Sequence, residues 1–436
     1  MRKFVTLTKQ LFKRYGKNGF LFLLLQGVTV GIQLFILPFL TRIFSQSDFG
    51  ILQFSQTLIN WFALFTIGNA TFGAKKGIIE GKDGTMLYAF WYRMKFVMLL
   101  SLACFVSTLV LFVVGKVILA WVFVIVGLFL LVGYLPQVSF PQLYIAKDRF
   151  DLFVGWQSLT IVLSQVATVA VAFSTHNMLL TMAAQYFTFG LLCLLAFVMG
   201  LKRYHMIAAY KKGEIDRSCV PYGKKLILVE VIQGTAGTIH NFILGPVFGF
   251  ATLAVFSVAS RIDVLFRALI SSGYYLLYKD FVQTDFENLK KHFKQKAFFL
   301  LVLSFLFSFL LFFASSFYIQ KFLPVAYHGA ILYTGILILG LPALLLQSII
   351  QAALESRLKA EAQRLATYVS QLCRIIFLLI GGIFGVLGIS ISITVSAWVS
   401  TLCFVLVFFE PAWVKKKFIH RFLNIFGKEE NKNPPV

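Results

Sequence analysis

Phe20-Leu-Phe-Leu-Leu-Leu-Gln-Gly-Val-Thr-Val-Gly-Ile-Gln-Leu-Phe-Ile-Leu-Pro-Phe39 is a run of twenty residues without a charge. An α-helix needs about that many apolar residues to cross the hydrocarbon of a bilayer. Immediately upstream stand Arg2, Lys3, Lys9, Lys13, Arg14 and Lys17. The pairing of an apolar run with a basic flank recurs along the chain and decides the fold class. Further runs are predicted at Gly50–Phe72, Met86–Val114, Val117–Leu135, Leu152–Phe173, Met178–Leu201, Leu226–Gly245, Phe250–Tyr275, Ala297–Ile319, Ala330–Ala352, Leu365–Phe384 and Val386–Phe409. They lack the strict alternation of barrel strands, so helices are the expected way to satisfy the backbone in lipid. The expectation is an all-α polytopic membrane protein of about twelve transmembrane helices, with both termini on one side.

The charges assign the sides. Lys75, Lys76, Lys82, Arg93 and Lys95 fall to the second gap, Lys147 and Arg149 to the fourth, and seven basic residues from Lys202 to Lys225 to the sixth. The eighth gap holds five from Lys279 to Lys296, the tenth holds Arg357, Lys359 and Arg364, and the carboxyl tail holds six from Lys415 to Lys432. The opposite gaps hold only Arg42, Lys116 and Lys321. Basic residues concentrate on the cytoplasmic face of membrane proteins, so both tails are predicted to be cytoplasmic. The net charge of +23 in a chain that is 59% hydrophobic therefore reads as membrane topology, with Lys and Arg at anionic lipid headgroups, and not as nucleic-acid binding. Lys75-Lys76, Lys290-Lys291 and Lys415-Lys416-Lys417 read as headgroup anchors. The first run is too long for the apolar core of a cleavable signal and has no small-residue cleavage site.

Sliding the second half over the first by 204 residues sets Asp48–Phe62 against Thr252–Phe266 and Gly19 against Gly223. Apolar positions largely coincide, which reads as a parallel duplication of six spans. The layout follows as a basic tail (1–17), an amino-terminal lobe of six helices (18–201), a polar linker (202–224), a carboxyl-terminal lobe of six helices (225–410) and a second basic tail (411–436). Transporters built from such repeats place substrate between the halves and rock them.

The stretch Leu37-Pro-Phe-Leu-Thr-Arg-Ile-Phe-Ser-Gln-Ser-Asp-Phe-Gly50 resembles the first-span signature of bacterial polysaccharide-repeat flippases. Asn241-Phe-Ile-Leu-Gly245 followed by Ala254-Val-Phe-Ser257 resembles the opening of that family's second lobe, and Gly385-Val-Leu-Gly388 also fits. The resemblance implies the O-antigen branch of the multidrug/oligosaccharidyl-lipid/polysaccharide (MOP) exporter superfamily, with MATE-like lobes around a central cavity. It implies as substrate an oligosaccharide repeat linked to undecaprenyl diphosphate, moved across the bacterial cytoplasmic (inner) membrane for surface polysaccharide or lipopolysaccharide synthesis. A polysaccharide polymerase or other assembly proteins are the partners this implies.

Polar residues at membrane depth are costly and usually face a bundle interior or an aqueous cavity. Six stand out: Glu230 and His240 in the seventh span, Arg261, Asp263 and Arg267 in the eighth, and Arg374 in the eleventh. Arg offers a planar fork of donors that matches phosphate oxygens, so Arg374, Arg261 and Arg267 are the candidates for holding the diphosphate. The alternative is buried ion pairs, such as Glu230 with Arg267, while Arg267 also lies near enough to the cytoplasmic end to snorkel. Glu230 and Asp263 are candidates for proton or sodium coupling, or for charge compensation of the arginines. His240 reads as a helix-packing residue. Pro38 is expected to kink the first helix. Arg42 and Asp48 are expected to order the turn before Gly50 as an ion pair, with an outer gate contact as the other reading. Gln56, Asn60 and Asn69 mark a polar face of the second helix, and Gln347 and Gln351 one of the tenth, suited to sugar hydroxyls or to helix–helix hydrogen bonds.

Enzyme chemistry has no signature. There is no P-loop, no H-E-x-x-H and no catalytic triad, and every predicted outer loop is short. The five cysteines are scattered without metal or redox spacing, so no metal or cofactor is expected. The competing readings are a MATE-type multidrug or cation antiporter, which would favour an acidic cavity, then a lipid II flippase, which needs two further helices, and last a glycan polymerase.

Overall fold

The computed structural model describes residues 2–261, 263–264, 286–356 and 360–409. Every described element is helical. In chain order they are α1 (Arg2–Ile43), α2 (Gln46–Ala63), α3 (Asn69–Ile79), α4 (Thr85–Val113), α5 (Val117–Phe129), α6 (Leu135–Ala146), α7 (Phe150–Thr175), α8 (Met178–Arg203), α9 (Met206–Lys211), α10 (Cys219–Phe248), α11 (Phe250–Arg261), α12 (Phe286–Phe322), α13 (Ala330–Ile338), α14 (Leu341–Ser356), α15 (Ala360–Gly382) and α16 (Gly385–Phe409). A 3-10 turn at Leu64–Thr66 follows α2, and a π-helical turn at Leu130–Tyr134 joins α5 to α6.

Among the described residues, nine helices are long and apolar enough to cross a membrane, ten if the pair spanning Val325–Ile338 and Leu341–Gln351, bent by 41°, counts as one span. The protein is a multi-pass membrane protein. Three of the twelve sequence-predicted spans take another form, the tenth as the bent pair α13 and α14. The second is not one helix but α2 and α3, parted at Leu64–Gly68. The eighth is described only as α11, since residues 265–285 lie outside the described set. α2 opens at Gln46 and α11 at Phe250, 204 residues apart.

Turn chemistry ends these helices where the sequence supplies it. Asn177 caps α8, its Oδ1 accepting from the N–H groups of Leu179 (2.9 Å) and Leu180 (3.1 Å). Gly115 (φ 78°) and Gly385 (φ 68°) take the left-handed conformation at the α4–α5 and α15–α16 turns. The predicted linker is mostly helical and tied down. Gly84 N–H donates to Glu214 O (3.0 Å), and Asp216 N–H donates to Thr85 Oγ1 (2.8 Å).

Large apolar side chains cover the outside of the helices as well as the core. Large apolar groups of α4 (Met98, Leu99, Leu102, Val106, Leu109, Val113) are exposed, while Ser101, Cys104 and Thr108 are buried. Small and hydroxylated residues inside allow close helix approach, and lipid solvates the apolar outside. Several of these buried hydroxyls turn back on their own helices, as Thr108 does to Cys104 O (3.0 Å) and Thr168 to Ser164 O (2.7 Å).

The chain divides into two compact units, 1–261 with 317–331, and 262–316 with 332–436. In the first, α7 packs on α8 and on α1, and α10 packs on α2 and α3. In the second, α15 and α16 form a tight hairpin at Gly381 and Gly388, where a Cβ on either would lie within 2.5 Å of the other's backbone oxygen.

Candidate functional site

The first unit assembles its polar groups around the broken second span. α2 starts at a reciprocal cap. The Ser45 hydroxyl accepts from Asp48 N–H (3.1 Å) and donates to Asp48 Oδ2 (2.7 Å), which satisfies a helix-end donor and orients the carboxylate. Arg42 does not pair with Asp48, contrary to the sequence expectation. Its guanidinium donates to Phe322 O (3.1 Å), and Gln46 donates to Ala326 O (2.6 Å). The capping serine, three residues before the aspartate, holds one oxygen of that carboxylate, while the Arg42 guanidinium is taken up by the Phe322 carbonyl.

Gly50 has a steric reason. A Cβ at this position would lie 1.8 Å from Phe250 O, so only glycine lets α2 meet the first turn of α11. Phe250 in turn packs edge-on against Phe54 (5.4 Å). The helix α1 runs through Pro38, which has no N–H to give Leu34 O. That carbonyl accepts instead from the Tyr318 hydroxyl of α12. The second-lobe signature joins the same region: Asn241 donates to Thr57 Oγ1 (2.9 Å), and Phe242 packs on Phe54 (5.5 Å) and Trp61 (5.6 Å).

Gln53, Gln56 and Asn60 share one helical face of α2, with Gln56 and Asn60 exposed and joined at 3.3 Å. Arg261, at the end of α11, donates to Gln53 Oε1 (2.8 Å) and lies over the Phe49 ring (5.9 Å). A guanidinium beside a row of carboxamides combines anion recognition with donors and acceptors for hydroxyl groups. Sequence reasoning singled out Arg261, Gln56 and Asn60. It missed Gln53, which lies seven residues before Asn60 on the same stripe.

The break itself contains the other cluster. Ile67 sits in the left-handed region (φ 54°, ψ 58°), an uncommon conformation for a β-branched residue. Arg93, assigned from sequence to a basic cytoplasmic gap, is instead 1% exposed inside α4. Its Nε donates to Thr66 O (2.9 Å), its Nη1 to Thr71 Oγ1, and its Nη2 to Thr66 Oγ1 (2.8 Å) and Tyr134 OH (3.4 Å). The π-helical turn brings Tyr134 to this cluster. Glu230, on α10, faces the backbone N–H groups of Gly68 and Asn69 and lies in the field of Arg93. A Cβ at Gly68 would be 2.8 Å from Glu230 Oε1. Asn69 is the first residue of α3, so it does not continue the polar face of α2 as expected.

His240 is buried and packs edge-on against Phe256 (5.3 Å). In the second unit Asp263 is buried, Arg374 is half-buried on α15, and Gln347 and Gln351 are half-buried on α14. Gln347 Oε1 has no hydrogen-bond partner among the described residues. Arg267, and the Lys415–Lys417 anchor, lie outside the described residues. Among the described residues no group of three or more His, Cys, Asp or Glu could hold a metal.

The family model for "polysaccharide biosynthesis protein" matches residues 39–274, more than half of the chain and the region that holds the broken span, Arg93, Glu230 and Arg261. The chain belongs to this family. Solved structures show that this polysaccharide biosynthesis protein shares its fold with transporters of the MOP superfamily. The lipid II flippase MurJ in an inward closed conformation is 14% identical, with a TM-score of 0.61 over 95% of this chain and 94% of that one. An outward-facing MATE family multidrug transporter of the MOP superfamily is 13% identical, with a TM-score of 0.60 over 93% of this chain and 99% of that one. A variant of the Vibrio cholerae MATE transporter VcmN is 13% identical, with a TM-score of 0.55 over 95% and 100%. No curated protein matches the sequence.

Proposed function

We propose that this family member is a flippase that carries undecaprenyl-diphosphate-linked oligosaccharide repeats across the cytoplasmic membrane, by alternating access, for surface polysaccharide synthesis. The observation that carries this reading is Arg261 bonded to Gln53 at the head of the Gln53–Gln56–Asn60 stripe, inside a membrane-embedded unit. A permanently charged fork serves a diphosphate, and a carboxamide row serves sugar hydroxyls. Arg374 and Arg267 are assigned the same headgroup role, Gln347 and Gln351 the sugar-contact role, and Asp263 that of a coupling carboxylate for a proton or sodium ion. Both termini face the cytoplasm in this reading, and a polysaccharide polymerase receives the product. A drug-cation antiporter fits this stripe less well, since an arginine repels its usual cargo.

The test is complementation of a deletion strain followed by analysis of surface glycan. Arg261→Ala and Arg374→Ala should each reduce export strongly while the protein remains in the membrane. Wild-type glycan from both variants would reject the assignment. Reconstitution in vesicles with a lipid-diphosphate sugar then distinguishes flipping from an indirect effect.

A further inference from the structure

The break in the second span carries opposite charges at its two ends, each in the sense the backbone demands. A helix ends in unpaired carbonyls and begins with unpaired N–H groups, so a cation suits the first and an anion the second. Arg93 reaches the Thr66 carbonyl at the end of the α2 segment. Glu230 faces Gly68 and Asn69 N–H at the start of α3. The N-cap residue of α3 is Gly68, with no side chain to cap it. Glu230, from a separate helix, stands at that end: a Cβ on Gly68 would lie 2.8 Å from its Oε1.

Glu230 Oε2 is buried and has no hydrogen-bond partner among the described residues. A bare buried carboxylate oxygen is costly, and adding a proton there removes the charge. The neutral acid loses its attraction for Arg93 and holds the α3 N–H groups less strongly. Among the described residues the groups facing it are few. α4 contributes Arg93, α3 contributes backbone N–H groups, α2 and the 3-10 turn contribute no charge, and Tyr134 lies behind Arg93. Lys75 and Lys76 sit at the other end of α3, roughly 9 Å along its axis.

We propose that Glu230 is a proton-binding site whose charged form pins α10 to the break in the second span and whose neutral form releases it. This goes beyond the function proposed above and does not depend on which cargo is carried. The strained Ile67 backbone is the element that relaxes when the pin is withdrawn.

Hydrogen exchange of the full chain in lipid nanodiscs tests this, read on the segment 64–73 from about pH 8 to about pH 4, corrected for intrinsic exchange and referenced to the segment 178–200. The wild type should lose protection of 64–73 as pH falls, by roughly threefold to thirtyfold, the range of a helix cap. Glu230→Gln should show the low-pH level throughout, and Glu230→Asp should keep the pH dependence. Protection that is flat with pH in the wild type overturns the proposal, whether or not Glu230→Gln folds. A pH dependence unchanged in Glu230→Gln overturns it as well, because another group then takes up the proton. Either failure leaves the glycan assays of Arg261 and Arg374 unaffected.

Discussion

Replacing Gly50 by alanine adds one methyl group where α2 meets α11. The new Cβ would lie 1.8 Å from Phe250 O and 2.6 Å from Phe250 C, whereas ordinary contact begins at 3.4 Å. The two backbones must therefore part by about 1.6 Å, because a carbonyl in a helical first turn cannot swing aside as a side chain can. A gap of about 1 Å already forfeits up to half of a dispersion contact, and the Phe250 ring against Phe54 and the Phe54 ring against Phe242 would feel it. Overpacking a core costs about 1–3 kcal/mol, and the rigidity of this contact puts Gly50→Ala at the upper end, about 3 kcal/mol. The assay is thermal unfolding of the full chain in nanodiscs at one fixed scan rate, since such unfolding is often irreversible. Gly155→Ala in α7 is the control. Nothing lies within 4 Å of a Cβ there, so helix propensity alone acts and the change should be neutral or stabilising. The steric account is refuted if Gly50→Ala unfolds within about 1 °C of the wild type.

Arg93→Met should destabilise by about 3–5 kcal/mol, because it strands Thr66 O, Thr71, Tyr134 and the Glu230 carboxylate together. Adding Glu230→Gln to Arg93→Met should recover part of that loss in the same unfolding assay, and a purely additive double mutant would deny the coupling. Tyr318→Phe removes the hydroxyl that serves Leu34 O beside Pro38 and should cost about 1–3 kcal/mol, with no change in a Phe-to-Leu control at exposed Phe317. In the linker, the Ser218 hydroxyl and then the Ser218 N–H hold the Asp216 carboxyl below the usual range. A depressed folded pKa means that the contact stabilises above the ordinary carboxylate pKa of about 3.9 and fades as pH falls through the lower folded value. Exchange protection at 216–220 should therefore hold from neutral pH to about pH 4 and fall below it in the wild type, and Asp216→Asn should abolish that step.

Of the signature residues Pro38, Arg42, Asp48 and Gly50, the structure overturns the ion pair expected between Arg42 and Asp48. Asp48 takes Ser45, three residues away, whereas the Phe322 carbonyl that Arg42 takes is 280 residues away and could not be read from the sequence. Gly50 stands in the sequence as the end of a signature, and in the fold it is a contact residue against Phe250. Arg93 was hidden because a basic residue near a predicted span end looks like a headgroup anchor. Its one legible sign was that Tyr92–Arg93–Met94 lies within the apolar run and not between runs.

Length, apolar periodicity and charge placement were enough to determine an all-helical membrane chain, because hydrocarbon imposes its thickness and its intolerance of bare backbone on any spanning sequence. Whether a given polar residue is a cap, a counter-charge or a ligand was decided only by the tertiary structure. Those roles depend on which carbonyl or N–H ends of one helix meet side chains of another, and here the partners of Arg93, Glu230 and Arg261 are brought from α2, α3 and the turns between them by folding.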